Sequence, residues 1–164
     1  MNKENKSIKQ DSSRFLTFFI EQEQYGLNIS NVKEIIASMN ITNVPKTPNF
    51  IKGVINLRGA VIPVVDVRLK FGLQEREYDV NTAIIINEID EASIGFIVDR
   101  VEDVLSIKHD DLTQPPRFGT SVDTSFIENI AEVNKDVVMI LNLKKIFEHD
   151  ELVNITKIEK KEEE

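Results

Sequence analysis

A chain of 164 residues, 41% apolar and 29% charged, has the composition of one ordinary folded domain or two small joined halves, with roughly 70% of its unfolded surface buried on folding. It has no cysteine, which excludes disulfides, thiolate metal sites and cysteine nucleophiles together. Its formal charge of −8 repels phosphate backbones and no basic stripe offsets it, so no nucleic-acid partner is expected.

Residues 1–13 are polar apart from Ile8 and are expected to form a disordered tail. No apolar run reaches the roughly 20 residues that span a bilayer, and the first residues have no apolar leader core, so the expectation is a cytoplasmic protein without membrane insertion. From Arg14 the pattern changes to RFLTFFIE, then to QYGLNIS after a polar turn, which predicts a β-hairpin. Ser30 and Asn31 resemble N-caps, Glu34 follows Asn31 by three, and Val32, Ile35 and Ile36 share a helical face; a helix of about two turns is predicted there. SMNITNV reads as a strand and VPKTPNF as a proline-enforced turn.

GVINLRGAVIPVVDVR places two apolar runs around Leu57-Arg58-Gly59, so Arg58 sits on a tight turn for which Gly59 supplies the positive φ. Ala60 to Val65 is apolar on both alternating faces and predicts a strand buried on two sides, with Pro63 marking a bulge or an edge-facing position. Asp66 is placed to cap a short helical turn. GLQEREYDVN is a polar join to a second half. TAIIINE and SIGFIVDRVEDVLSI predict another hairpin running into a long strand bent near Asp103. After the proline-rich DDLTQPPRF come two more strands, IENIAEV and KDVVMILNL, and a helix capped by Asn142 with Leu143, Ile146 and Phe147 on one face. About ten short strands with turn signals every eight to twelve residues make the fold mainly β, a barrel or sandwich.

No phosphate loop, nucleophile elbow, dinucleotide fingerprint or metalloprotease pattern occurs, and His109 and His149 have no ligand-like spacing. No catalytic residue, metal or cofactor is expected.

FIKGVINLRGAVIPVVDVR, Phe50 to Arg68, resembles the core signature of CheW-type domains, with an F-I-x-G-x-x-x-x-R-G stretch followed by P-x-x-D-x-R. YGLNISNVKEI, GFIVDRVEDVLSI and DLTQPP follow in the family's order. The resemblance implies two intertwined five-stranded SH3-like β-barrels over 14–150; the charged tail expected over 151–164 departs from the compact end of the family. It also implies a non-catalytic adaptor, expected to be a monomer alone, that joins the hairpin tip of a chemoreceptor to the regulatory domain of the histidine kinase CheA. The same domain type also serves kinase pathways outside chemotaxis, which the sequence does not separate from it.

The family's receptor-contacting pattern falls on Val32, Glu34, Ile35, Gly53, Asn56 and Arg58, and on Val98, Val101 and Val104 in the second barrel. Kinase or ring contact falls on Arg117 and Phe118. Val32 and Ile35 equally suit barrel core, and Phe118 equally suits a plug at a barrel end; Gly53 also suits the turn after Pro48 to Ile51, but the resemblance favours close approach of a receptor helix there. Arg58 is long enough to reach Glu34 and fix one segment against the other.

Overall fold

The computed structural model describes residues 11–37, 40–116, 124–147, 151 and 155. In chain order the strands are β1 (Ser12–Ile20), β2 (Glu23–Asn28), β3 (Val32–Ala37), β4 (Ile51–Leu57), β5 (Ala60–Asp66), β6 (Ala83–Ile89), β7 (Ala92–Val98), β8 (Arg100–Lys108), β9 (Leu112–Thr113), β10 (Ile127–Val133) and β11 (Asp136–Leu141). Among the elements described in full, two one-turn helices accompany them, α1 (Val67–Lys70) between β5 and β6 and α2 (Leu143–Ile146) after β11. Three hairpin tips put two successive residues in the left-handed region: Arg58 and Gly59 (φ 52° and 90°), Asp90 and Glu91 (49° and 70°), Asn134 and Lys135 (52° and 71°). That backbone matches the right-handed twist of the flanking strands, so polar residues and one glycine occupy the tips.

The predicted helix after the first hairpin is corrected. Ile29–Asn31 makes a single 3-10 turn, and Val32–Ala37 is a strand, antiparallel to β6 with Ile35 opposite Ile85. Asn28, one turn earlier than expected, provides the cap: its Oδ1 accepts from the Ser30 amide at 3.0 Å. Val32, Ile35 and Ile36 fit a helical face, but they are β-branched and suit a pleated edge, where β6 also satisfies the backbone. The strand expected at SMNITNV reduces, among the described residues, to one bridge between Thr42 and Val54.

The strands form two sheets, ordered β8-β1-β2-β11-β10-β9 and β3-β6-β7-β5-β4. No ladder joins the outer strands of either sheet, yet in each the chain itself brings the edges together. β8 and β9, at opposite edges, are separated only by the 3-10 turn His109–Asp111, so they act as one sharply bent strand of a five-stranded ring. In the other sheet, the chain leaving β3 reaches β4 at Thr42, where Thr42 N donates to Val54 O and Val54 N to Thr42 O, both at 2.8 Å. Because Val54 turns its amide and carbonyl to Thr42, its partner Pro63 on β5 needs no N–H on that side, and the proline sits in a non-hydrogen-bonded pair.

Alternation along the strands sorts the apolar residues into three cores. Ile55, Ile62, Val64, Ile84, Ile86 and Ile97 fill the barrel of β3 to β7, and Phe15, Ile107, Ala131, Val138 and Ile140 fill the other. Between them, Leu16, Phe18 and Ile20 of β1 meet Ile85, Phe96 and Val98, with Leu143, Ile146 and Phe147 closing the seam. The continuous apolar runs are thereby explained: one face of β6 fills a barrel and the other fills the seam.

Two sequence expectations meet direct geometric counterparts. Asn142 Oδ1 accepts from Lys144 N at 3.1 Å, capping α2, and the bend near Asp103 is a bulge. There the β1–β8 register slips, and the Thr17 hydroxyl, inside the barrel, donates to Asp103 O at 2.9 Å and accepts from Asp103 N at 3.1 Å. Beyond α2, Glu151 and Ile155 lie where the charged tail was expected. Ile155 is fully buried in the seam, and both Glu151 oxygens accept from Lys70 Nζ at 2.8 Å.

Candidate interaction surface

β3 and the β4–β5 turn form one edge of the barrel of β3 to β7, and four of the sequence-predicted residues, Glu34, Ile35, Asn56 and Arg58, lie on it. Glu34 lies on the half-buried face of β3, Ile35 on the outer face, and Arg58 occupies the left-handed corner of the turn. The Arg58 guanidinium grips the Glu34 carboxylate with two hydrogen bonds, one at 3.1 Å from Nη1 and one from Nη2. That contact holds the Glu34 carboxyl below its ordinary range, chiefly through the Arg58 hydrogen bond, with its charge adding to the effect. Next to this pair Ile35 is 44% exposed, one of few large apolar side chains so placed among the described residues. Asn56, also exposed, accepts from Gly59 N at 3.0 Å through Oδ1 and so shapes the turn that carries Arg58.

Gly53 does not belong to this surface. It is buried with φ 142°, and a Cβ there would stand 2.0 Å from the Thr42 carbonyl oxygen. The close approach that requires glycine is made by the chain's own Thr42 segment, which bridges to Val54.

Val98 is likewise corrected: at 1% exposure it belongs to the seam core, because β7 runs between two neighbours and turns this residue inward. Val101 and Val104 lie opposite Phe18 and Leu16 on β8. Together with Val32 they are half-buried and border the same seam cluster. Arg117 and Phe118 lie outside the described residues.

Sequence reasoning passed over Arg68, which organises the junction between the barrels. Its side chain is 6% exposed; Nη1 donates to Asp99 Oδ2 at 2.7 Å, Nη2 pairs with Glu21, and Nε donates to Gln74 O at 3.2 Å. Asp99 is the residue where the chain crosses from one sheet to the other, and its carboxylate also accepts from Glu21 N at 2.7 Å. Two residues before Arg68, Asp66 caps α1 through Leu69 N and accepts from the Tyr78 hydroxyl at 2.8 Å. Burial, reinforced by Asp66, pushes that hydroxyl well above the usual tyrosine range. The signal was present in the P-x-x-D-x-R spacing, since an arginine after a buried strand needs carboxylate partners. Those partners lie far away in sequence.

Among the described residues no group of three or more histidine, aspartate or glutamate side chains is arranged to hold a metal, and no helix is long and apolar enough to cross a membrane.

Comparison with known proteins agrees with this geometry. The family model for the CheW-like domain matches residues 14–151. The protein is 32% identical over 146 residues to the chemotaxis protein CheW of Klebsiella aerogenes, covering 89% of this chain and 88% of the relative. It is 34% identical to that of Helicobacter pylori over 84% of this chain and 82% of the other. Among solved structures, the crystal structure of scaffolding protein TtCheW from Thermoanaerobacter tengcongensis superposes with a TM-score of 0.77 at 38% identity, over 85% of this chain and 94% of that one. With two interlocked barrels around a shared seam, the chain belongs to the CheW-like family of chemotaxis scaffold proteins.

Proposed function

We propose that this protein is a non-catalytic, cytoplasmic adaptor that couples the hairpin tip of a chemoreceptor to the regulatory domain of the kinase CheA. The receptor binds at the edge formed by Glu34, Ile35, Asn56 and Arg58 and reaches the seam margin at Val32, Val101 and Val104. Arg117 and Phe118 serve the kinase or ring contact. One observation carries this reading: a bidentate ion pair links two segments beside an exposed isoleucine on a surface edge. Such a pair contributes little to stability when exposed, but it presents a pre-organised, charged rim around an apolar anchor. Coupling follows if receptor and kinase favour the same arrangement of the adaptor, a linkage typically of about 1–3 kcal/mol.

The test is titration of the purified protein with a receptor tip fragment and, separately, with a CheA regulatory domain. Arg58→Glu is expected to weaken receptor binding by roughly tenfold or more while leaving kinase binding unchanged, since like charges then face each other at the rim. The charge-swapped double variant Glu34→Arg with Arg58→Glu restores the internal pair. Recovery of binding would assign the pair a positioning role, and continued loss would assign Arg58 direct contact. A folded wild-type protein that binds neither fragment would refute the proposal.

A further inference from the structure

We propose that a second surface, the cleft between α1 and α2, is a docking site for an acidic peptide segment of a partner protein that carries an aromatic or aliphatic anchor. The cleft encloses about 580 Å³, within the range of sites that hold several side chains of a ligand. Three lysines, Lys70, Lys144 and Lys145, line it in a chain whose formal charge is −8. Its apolar lining includes Phe71 and Phe126, both half-buried, with ring centroids 5.1 Å apart. Phe71 in turn packs on Tyr25 at 5.3 Å, and Tyr25 on the fully buried Phe18 at 5.8 Å, so the half-buried rings are the outer end of an aromatic row that runs into the core.

Charge complementarity selects the occupant. A local cluster of ammonium groups on an acidic protein attracts carboxylates and steers their approach, while half-exposed rings gain when an apolar group covers them. The protein already uses part of this chemistry: Lys70 Nζ holds both oxygens of Glu151 at 2.8 Å while lying 4.6 Å from the Phe50 ring centroid. Among the described residues the Lys144 ammonium pairs with Asp90 at 2.9 Å, with side chains 67% and 56% exposed, a contact that an incoming carboxylate displaces at small cost. Lys145 has no carboxylate partner among the described residues. None of these residues belongs to the Glu34–Arg58 edge, so the two surfaces are separate and both can be occupied on one molecule.

The probe is a fluorescein-labelled peptide of sequence DEEFEDLE, titrated with the full chain and followed by fluorescence anisotropy. Saturable binding is expected, with the double variant Lys144→Glu, Lys145→Glu weakening it roughly tenfold and Phe126→Ser roughly fivefold. The same peptide with its Phe and Leu replaced by Ser is expected to bind at least about fivefold more weakly. Unchanged thermal midpoints of the lysine variant exclude misfolding as the cause. Absence of saturation, or affinity insensitive to the lysine reversal, would overturn the proposal. So would binding seen only after the chain is cut following Ile155, because the cleft would then be held by the chain's own C-terminal glutamates.

Discussion

At the Glu34 carboxylate, a depressed proton affinity has a definite sign for stability. A carboxyl whose folded pKa lies below its unfolded one stabilises the fold fully above the ordinary glutamate value, about 4.3, and loses that contribution as the pH falls through the folded value. The small difference in urea midpoint between wild type and Arg58→Ala is therefore expected to hold from pH 7 to 5 and to close under more acidic conditions. Arg68 behaves differently, because it is buried against two carboxylates. Arg68→Ala leaves Asp99, 10% exposed, without its principal cation, and a loss of about 3–5 kcal/mol is expected in urea denaturation. The Glu34–Arg58 pair was legible in the sequence because a turn arginine has length to spare and a carboxylate lay on the neighbouring segment. The Arg68 cluster was not, since Glu21 and Asp99 reach it only through the way the barrels interlock.

Among the elements, the segment after Asn31 shows how local signals are overruled. Its capping pattern and its 3.6-residue periodicity were real, yet the edge of β6 offered Val32–Ala37 a ladder, broken only by a register shift between Val32 and Glu34, and the β-branched side chains accept that conformation without cost. The hairpins were readable because each is local: alternating apolar runs meet at polar tips. The closure of the central barrel was not, because it depends on Thr42 meeting β4 at Val54, beside Gly53. Gly53→Ala is accordingly predicted to cost at least about 2 kcal/mol, through left-handed strain and the clash with the Thr42 carbonyl. Hydrogen exchange at the Thr42 and Val54 amides is expected to rise in that variant more than at the distant Thr17–Asp103 bulge. Equal acceleration at both sites would mean that the closure is not a local feature.

For the molecule as a whole, the seam is the largest of the three apolar clusters, and it draws residues from both sheets, from α2 and from Ile155. Two barrels sharing one core unfold together, so calorimetry should record a single transition with equal calorimetric and van't Hoff enthalpies. Ile155→Ala removes a fully buried side chain from that core and is expected to cost about 2–4 kcal/mol without splitting the transition. Two peaks in the wild type would show that each barrel is stable alone. The same chain path bears on biosynthesis. The central barrel runs without interruption from Val32 to Val98, whereas the other needs β1 and β2 together with β8 to β11. At about 5–20 residues per second, the N-terminal hairpin emerges from the ribosome on the order of ten seconds before β11, its neighbour on one side. During that interval the seam face of the central barrel, with Ile85, Phe96 and Val98, is already there to cover Leu16, Phe18 and Ile20, so the first-finished unit is available as the template on which the discontinuous one is assembled.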